Sequence, residues 1–248
     1  MLRKTIDDLI KDAEGDVSVI IKNPKENESI MINEDTVFPA ASVIKLYILW
    51  ELFERIEKGE FTLEQEISIE DKDKVDGFGI LKELHSGIKL SVKDLATLMI
   101  VLSDNTATNM LIDLLGMDNI NRTIENNKLK HTVLQRKMMD GKAKEKGLDN
   151  YTSSIDVLKI LEKSLQKKEI IDILKRQQCN NKLPVLMGDS MELAHKTGDL
   201  PGVEHDAGIL FIKEEAVFII VLTKNLKNNI EGIKLNNNIG KAVYDYYK

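Results

Sequence analysis

The sequence predicts an α+β fold, in which an antiparallel sheet with terminal helices packed on it adjoins an all-α lobe. Runs of β-branched residues lie near both chain ends, whereas helical patterns of apolar residues fill the middle. The chain has 248 residues, of which 42% are hydrophobic, and it can therefore bury a large core. We predict a single domain over residues 1–248, with residues 1–37 and 192–248 in a sheet lobe and residues 38–191 in a helical lobe.

The N-terminal segment, residues 1–15, spaces its apolar residues as an amphipathic helix does. Two strands are predicted after it, over Asp16–Ile21 and Glu28–Ile32, and the sequence NPKEN between them is typical of a turn. These strands are expected to form a hairpin.

A strongly apolar stretch follows at residues 38–50, with the sequence FPAASVIKLYILW. Pro39 and the two alanines after it are typical of a helix entrance. The apolar run that continues from them predicts a helix that is buried on nearly all sides and ends near Gly59.

The middle of the chain is predicted to be mainly helical. Residues 67–76 are charged and predict a loop, and a short helix is expected after Gly79. Ser91, with Asp94 three residues later, has the capping pattern of a long helix that stops at Ser103. Residues 134–151 are charged and irregular. Further helices are predicted over Thr108–Leu115, Asn119–Asn127, Ile155–Leu165 and Ile170–Gln177.

The last third of the chain changes to β-branched patterns before a final helix. Strands are predicted over Glu192–Thr197, Ala207–Lys213 and Ala216–Thr223, with a turn at Glu214–Glu215 and a closing helix over Ile230–Tyr247.

Composition narrows the possible partners. A formal net charge of −6, with 31% charged residues of both signs, argues against a nucleic-acid or anionic-membrane partner. Cys179 is the only cysteine, so the chain has no internal disulfide and no cysteine cluster for zinc. Neither a membrane span nor a signal peptide is apparent. We expect a cytoplasmic monomer, or an extracytoplasmic one if an export signal was trimmed.

Ser42 and Lys45 combine a hydroxyl with an amine three residues later, at the start of the apolar helix. Residues i and i+3 are neighbours on a helix face, so the amine can reach the hydroxyl as a base reaches a nucleophile. The amine accepts a proton only when it is neutral, which requires burial or a second cation nearby. Ser-x-x-Lys occurs three times in the chain, and the alternative is a capping serine with a lysine that reaches solvent.

Three short motifs occur in order: SVIK at 42–45, SDN at 103–105 and KTG at 196–198. With their neighbours FPAASVIKL, GILKELHSG, SDNTATNML and HKTGDLPGVEHDAGIL, they resemble class A β-lactamases and the related penicillin-recognising serine hydrolases over nearly the whole chain. Taken alone, SDN also fits a helix junction in which Asp104 caps the next helix, and KTG fits a strand end before a turn.

The resemblance implies a role for each motif residue. Ser42 is the residue that becomes acylated, and Lys45 is the nearest candidate to take its proton. Ser103 passes a proton to the leaving nitrogen, and Asn105 holds Lys45 and bonds a substrate carbonyl. Asp104 is expected to be structural.

The third motif is implied to hold the substrate. Lys196 supplies the second cation and attracts an anionic carboxylate, for which Thr197 adds a hydroxyl. Gly198 lets the substrate lie flat against the strand. The backbone N–H groups of Ser42 and Asp199 form the oxyanion hole.

The chain departs from class A enzymes where they carry the carboxylate that activates water for deacylation, in a Glu-x-x-Leu-Asn string. That string is absent, and the expected glutamate falls on Met138, which cannot accept a proton. Asp140 and Glu145 are the candidate replacements, and a solvated loop is the alternative for both. Arg136 is expected to hold this loop by pairing with Asp149 or Asn150.

The resemblance implies a serine hydrolase that opens β-lactam amides through an acyl-enzyme on Ser42, and the missing carboxylate implies slow deacylation. The alternatives are a penicillin-binding D-Ala-D-Ala peptidase, a small-ester hydrolase and a β-lactam or cell-wall sensor without turnover. The expected partner is a small molecule, without cofactor or metal.

A Ser-His-Asp relay is disfavoured as a rival. His205 and Asp206 are adjacent, and adjacent strand residues point to opposite faces. For the same reason His195 is expected to face away from Lys196.

Overall fold

The computed structural model describes residues 1–26, 29–188, 191–213 and 215–248. Its helices within these ranges are α1 Leu2–Ile10, α2 Lys45–Glu57, α3 Val92–Val101, α4 Asn105–Leu115, α5 Met117–Asn126, α6 Gly141–Glu145, α7 Ser154–Ser164, α8 Lys168–Leu174 and α9 Asn229–Tyr247. Its strands there are β1 Asp16–Lys22, β2 Ile30–Ile32, β3 Phe38–Pro39, β4 Glu66–Ser68, β5 Lys89–Ser91, β6 Tyr151–Thr152, β7 Glu192–Leu200, β8 Val203–Ile212 and β9 Glu215–Lys224. The predicted α+β class is confirmed.

The main sheet has five antiparallel strands in the order β2-β1-β9-β8-β7. Strands β8 and β9 are buried at nearly every position because elements cover both faces of the sheet. This explains their continuous apolar character, since a strand buried on both faces does not alternate. The KTG segment lies on β7, at one edge of the sheet, so one side of that strand's backbone can face a cleft.

The two faces of the sheet contribute to two different hydrophobic clusters. Val19 and Ile21 pack in a cluster with residues of the terminal helices α1 and α9, whereas Ile20 packs in a larger cluster with α2, α3, α4 and α7. Successive strand residues point to opposite faces, so β1 alone joins both clusters. The sheet is therefore the layer between the terminal helices and the helices of the middle.

The hairpin that carries the KTG segment is longer than predicted. Strand β7 continues to Leu200, and β8 begins at Val203 rather than Ala207, with Leu200 opposite Val203. Only Pro201 and Gly202 remain for the turn, and Gly202 has a φ of +74°. The predicted strands were too short because Gly198, Asp199 and residues 204–206 do not have β-branched side chains.

Two other predictions were wrong in detail. Residues 67–76 are not entirely a loop, because Glu66–Ser68 pairs with Lys89–Ser91 in a two-stranded sheet. Helix α4 begins at Asn105 rather than Thr108 because Asp104 caps it. The predicted turn residue Glu214 and strand residue Glu28 lie outside the described residues.

The start of the central helix also differs from the prediction. Phe38–Pro39 is a short strand that pairs with Tyr151–Thr152, and a 3₁₀ turn over Ala41–Ile44 precedes α2. The Ala40 N–H donates to the Asn150 carbonyl at 2.7 Å, which joins this entrance to the loop over 134–151. Among the described helices, none has both the length and the apolar character needed to cross a membrane.

Replacing Gly240 of α9 by alanine should destabilise the fold, because the added methyl would lie 2.2 Å from the Leu183 carbonyl oxygen. We expect a loss of about 1–3 kcal/mol in the free energy of unfolding, as for other overpacked interiors. Gly141→Ala is the matched control, since its methyl would meet nothing within 4 Å. Urea denaturation of both variants measures the difference, and equal effects would contradict the packing described for α9.

Candidate active site

A cleft of about 370 Å³ opens where β7, the 3₁₀ turn at 41–44, the start of α4 and the loop over 136–150 meet. Four predicted site residues line it: Ser42, Asn105, Asp140 and Asp199. Four others lie beneath the lining, each at most 3% exposed: Lys45, Ser103, Lys196 and Thr197. The cleft thus brings together residues that are far apart in the sequence.

Three residues at this cleft have left-handed backbone conformations although none is a glycine. The φ angles are +45° at Ala41, +53° at Ser103 and +62° at Met139. Such conformations are unfavourable for residues with side chains and persist only where the surroundings enforce them. The surroundings of this cleft therefore hold three separate segments in such conformations.

The two lysines share one hydroxyl. The Lys45 amine donates to the Ser103 carbonyl oxygen at 2.6 Å, to Ser103 Oγ at 3.0 Å and to Asn105 Oδ1 at 3.0 Å. The Lys196 amine donates to the same Ser103 Oγ at 3.1 Å and to the Thr197 carbonyl oxygen at 2.9 Å. The Ser103 hydroxyl can therefore exchange a proton with either amine.

Burial changes the acid–base behaviour of both lysines. It is the main cause that lowers the pKa of Lys45 well below its ordinary value, and the nearby charge of Lys196 lowers that pKa further. Burial also lowers the pKa of Lys196, to about 8. Burial and the charge of Lys196 thus both favour the neutral form of Lys45.

The direct contact expected between Ser42 and Lys45 is absent from the hydrogen bonds of the described residues. The Lys45 amine instead directs its three donors at Ser103 and Asn105, as an ammonium group does. Helical spacing predicts only that Ser42 and Lys45 are neighbours. It does not show that acceptors from residues 103–105 surround the Lys45 amine.

Gly198 allows β7 to lie against the turn that holds Ser42. A methyl group on Gly198 would lie 3.1 Å from Ala41 Cβ and 3.2 Å from the Ser42 backbone nitrogen. Glycine is therefore needed here for the close approach of β7 to the Ala41–Ile44 turn, as well as for any substrate that lies along the strand. This close approach sets the distance between Ser42 and the end of β7.

Thr197 carries an unsatisfied hydroxyl. Its side chain is 1% exposed, and Oγ1 has no hydrogen-bond partner among the described residues. Leaving a buried hydroxyl without a partner is costly, so such groups at a cleft are candidates for bonding a ligand.

Asp104 has the structural role that was expected. One carboxylate oxygen accepts from the Ala107 N–H at 2.9 Å and caps α4, and the other accepts from the N–H groups of Ile80 and Leu81 at 2.7 and 2.9 Å. Gly79 fits against it, since a methyl there would lie 2.2 Å from the carboxylate. Asp104 thereby fixes the backbone that presents Ser103 and Asn105.

Met138 lies in the cleft wall with its backbone clamped by one side chain. Its N–H donates to Asn109 Oδ1 at 2.8 Å, and its carbonyl accepts from Asn109 Nδ2 at 3.0 Å. The side chain lines the cleft and is 8% exposed. A thioether therefore occupies the wall at the position where the resemblance to class A enzymes leads us to expect a carboxylate.

The two candidate replacement bases differ in position. Asp140 lines the cleft but is exposed, and its carboxylate accepts from the Ala143 N–H at 3.0 Å as the cap of α6. Glu145 is exposed at the end of α6 and is not among the residues that line the cleft. The structure thus weakens the case for Glu145, because α6 carries its side chain outside the cleft.

Arg136 holds the loop as the sequence predicts. Its guanidinium donates to Asp149 Oδ1 at 2.8 Å, and Asn150 Oδ1 accepts from the Arg136 N–H at 3.1 Å. The loop therefore keeps its internal bonds although the expected carboxylate is missing.

Neither His195 nor His205 bonds Ser42 among the hydrogen bonds of the described residues. His195 bonds Asp206 at 2.8 Å and Asn180 at 3.0 Å on the side of β7 opposite Lys196. His205 points the other way, to the Pro39 carbonyl at 2.7 Å and the Thr223 N–H at 3.1 Å. Within the described residues, no group of three His, Cys, Asp or Glu side chains is arranged to hold a metal ion.

Several residues of this region were not predicted from the sequence. Lys182 is fully buried beside β7, where it forms ion pairs with Asp199 at 2.6 Å and Glu204 at 2.7 Å. Phe78 and Met139 are exposed at the cleft mouth. No sequence pattern marks Lys182, because its partners come from a hairpin that begins ten residues later.

Comparisons with known proteins agree with this geometry. A family model described as the β-lactamase enzyme family matches residues 1–247. The β-lactamase VEB-1 of Pseudomonas aeruginosa is 23% identical over 265 residues, which cover 98% of this chain and 89% of that protein.

Solved structures match closely as well. A β-lactamase from Sphaerobacter thermophilus has a TM-score of 0.88 and 27% identity, with 99% of this chain and 96% of that chain covered. PBP-A has a TM-score of 0.89 and 28% identity, with 99% and 95% covered, and a leucine-to-glutamate variant of it was solved as an acyl-enzyme complex with penicillin G. These likenesses confirm the predicted β-lactamase-like fold.

His205 should make the fold sensitive to acid, because burial lowers its pKa from 6.5 to about 4. The unfolded chain then binds the extra proton between these two pH values, so stability is lost as the pH falls. We expect the free energy of unfolding to fall by about 1.4 kcal/mol per pH unit over that window because of this group. Urea denaturation at several pH values measures the slope. His205→Gln should remove this part of it, whereas exposed His85→Gln should keep it.

Proposed function

The chain belongs to the β-lactamase enzyme family, and from this premise we propose that it opens β-lactam amides through an acyl-enzyme on Ser42 and releases the acyl group slowly. One observation carries the proposal: the Ser103 hydroxyl lies between two buried amines, 3.0 Å from Lys45 and 3.1 Å from Lys196, beneath the cleft that Ser42 lines. This arrangement supplies a base and a proton path for acylation.

Acylation begins when a neutral Lys45 takes the Ser42 proton. The Ser42 oxygen then bonds to the carbonyl carbon of the lactam, and the backbone N–H groups of Ser42 and Asp199 stabilise the oxyanion. The lowered pKa of Lys45 supports its role as the base. Lys45 turns from the Asn105 and Ser103 acceptors toward Ser42 when it loses its proton, since a neutral amine has a lone pair to direct there.

The amide bond breaks when its nitrogen receives a proton. Ser103 donates its hydroxyl proton to that nitrogen and recovers one from Lys45, so that the proton taken from Ser42 ends on the leaving amine. The 3.0 Å distance from Lys45 Nζ to Ser103 Oγ supports this transfer, and Lys196 on the other side of the hydroxyl stabilises the intermediate alkoxide.

Substrate binding uses the same strand. We assign the substrate carboxylate to the Thr197 hydroxyl and the charge of Lys196, because Thr197 Oγ1 has no partner among the described residues. The amide of Asn105 bonds a substrate carbonyl from the opposite wall of the cleft.

Deacylation needs a base that activates water, and the cleft wall has Met138 where such a base is expected. Of the two candidates, Asp140 lines the cleft and Glu145 does not. Asp140 is exposed and its carboxylate caps α6, so we expect a long-lived ester on Ser42 and slow hydrolysis.

A penicillin-binding peptidase is the second candidate function. It uses the same acyl-serine chemistry, and Met138 and the likeness to PBP-A favour it. Release of D-alanine from an acyl-D-Ala-D-Ala peptide through Ser42 would identify a peptidase. No release from such peptides would favour the β-lactam hydrolase.

Ser42→Ala should abolish covalent labelling by a fluorescent penicillin, because it removes the attacking oxygen. Intact-mass spectrometry of the unmodified chain should show a gain equal to the whole drug, since ring opening loses no atoms. Ser86→Ala is the matched control, because Ser86 heads a second Ser-x-x-Lys string outside the cleft and should remain harmless. An unshifted mass at saturating drug, with no hydrolysis of the drug, would rule out the acyl-enzyme.

Met138→Glu should shorten the lifetime of the acyl-enzyme, because it places a carboxylate in the wall beside Ser42. We expect release at least about 100-fold faster, within the range that a positioned general base contributes. Met138→Gln has similar size without basicity and should release the adduct as slowly as the parent.

Time-resolved mass spectrometry after removal of free drug measures these lifetimes. If the parent adduct clears in seconds, deacylation is not slow, and Asp140→Asn and Glu145→Gln then identify the base.

A further inference from the structure

A fully buried lysine lies behind the end of β7, outside the machinery described above. Lys182 Nζ donates to the carbonyl oxygens of Gly198 at 3.1 Å and His205 at 3.0 Å, and to Asp199 Oδ1 at 2.6 Å. It also lies 2.7 Å from Glu204 Oε2. A lysine is rarely buried without a charge partner, and this one has two.

The four contacts join both strands of the hairpin at one level. Gly198 pairs with His205, and Asp199 pairs with Glu204, so Lys182 holds two successive cross-strand pairs. Gly198 also packs against the 3₁₀ turn that holds Ser42. A methyl group on Gly198 would lie 3.2 Å from the Ser42 backbone nitrogen. The position of the Asp199 backbone relative to Ser42 therefore depends on this lysine.

The two carboxylates face different surroundings. Asp199 lines the cleft, and its side chain is 29% exposed. Glu204 is 5% exposed at its side chain and bonds Asn229 Nδ2 at 2.7 Å, away from the cleft lining. Of these two partners of Lys182, Asp199 is therefore the one that can place a negative charge beside the substrate.

We propose that Lys182 is a positioning residue of this site: it fixes the Gly198–Asp199 end of β7 against Ser42 and neutralises the Asp199 carboxylate next to the cleft. The proposal rests on the function proposed above and adds a residue that acts through Asp199. Lys182 does not touch the substrate, since it is fully buried behind the strand.

The pKa pattern of the region supports the electrostatic part. Burial mainly lowers the pKa of Lys196, while the charge of Asp199 raises it and that of Lys182 lowers it. Asp199 also raises the pKa of Lys45. Loss of Lys182 should therefore keep both amines protonated to higher pH, which slows proton removal from Ser42. The charged and titratable groups around these lysines are Cys179, Asp199, Glu204, His205, Asp206 and Asp104.

The test compares three variants: Lys182→Met, Lys182→Met with Asp199→Asn, and Lys182→Met with Glu204→Gln. Each double variant removes the lysine and one of its two carboxylate partners. The two double variants therefore have the same net charge. We expect Lys182→Met to lower the second-order rate of Ser42 acylation by fluorescent penicillin about 10- to 100-fold. This is less than the loss of an oxyanion-hole donor, because the Asp199 N–H is displaced and not removed. It should also move the acid limb of the pH–rate profile to higher pH.

Adding Asp199→Asn should return that limb toward the parent and recover much of the rate, whereas Glu204→Gln should recover neither. Equal recovery by both, or no recovery by Asp199→Asn, would overturn the proposal. If Lys182→Met does not fold, the comparison of the two double variants carries the test by itself.

A second readout is independent of acylation. The pKa of Lys196, measured by NMR of carbon-labelled lysine side chains, should rise in Lys182→Met and fall again only with Asp199→Asn. A parent that is never acylated would refute the proposed function, while an unchanged Lys196 pKa in Lys182→Met would refute the role of Lys182.

Discussion

Two amines buried around one hydroxyl are the constraint on which the rest of this site depends. Lys45 and Lys196 are both fully buried, and both donate to Ser103 Oγ. Two full positive charges that share one hydrogen-bond acceptor, away from water, repel each other, so the pair favours a state in which one amine is neutral. Surrounding oxygens stabilise the amine that stays charged. Exclusion of water from the cleft floor is thus the reason that one of its amines can act as a base.

The fold supports this pair through close backbone contacts. The edge strand β7 carries Lys196 and approaches the Ser42 turn where Gly198 has no side chain. Asp104 fixes the junction between α3 and α4, so that Ser103 keeps its left-handed conformation with its hydroxyl between the amines. Packing on both faces of the sheet holds these segments together, and the strain at Ser103 is offset by that surrounding structure.

The two halves of the proposed reaction are supported unequally. The acylation residues converge on Ser103, whereas the loop that should supply the hydrolytic base presents Met138. That loop nevertheless keeps its internal bonds, because Arg136 pairs with Asp149 and Asn109 clamps the Met138 backbone. An intact loop without its base is consistent with a site arranged to form an ester and keep it.

The sequence by itself determined the α+β class, the order of the longer helices and of the strands of the main sheet, and the three motifs that contain Ser42, Ser103 and Lys196, because periodicity and short motifs are local properties. It also located Met138 by counting along the chain. Only the tertiary structure decided that Lys45 bonds Ser103 and Asn105 rather than Ser42, that Glu145 lies outside the cleft lining, and that Lys182 lies behind Asp199. Burial and the distance between groups from distant segments arise from packing, and no spacing along a chain encodes them.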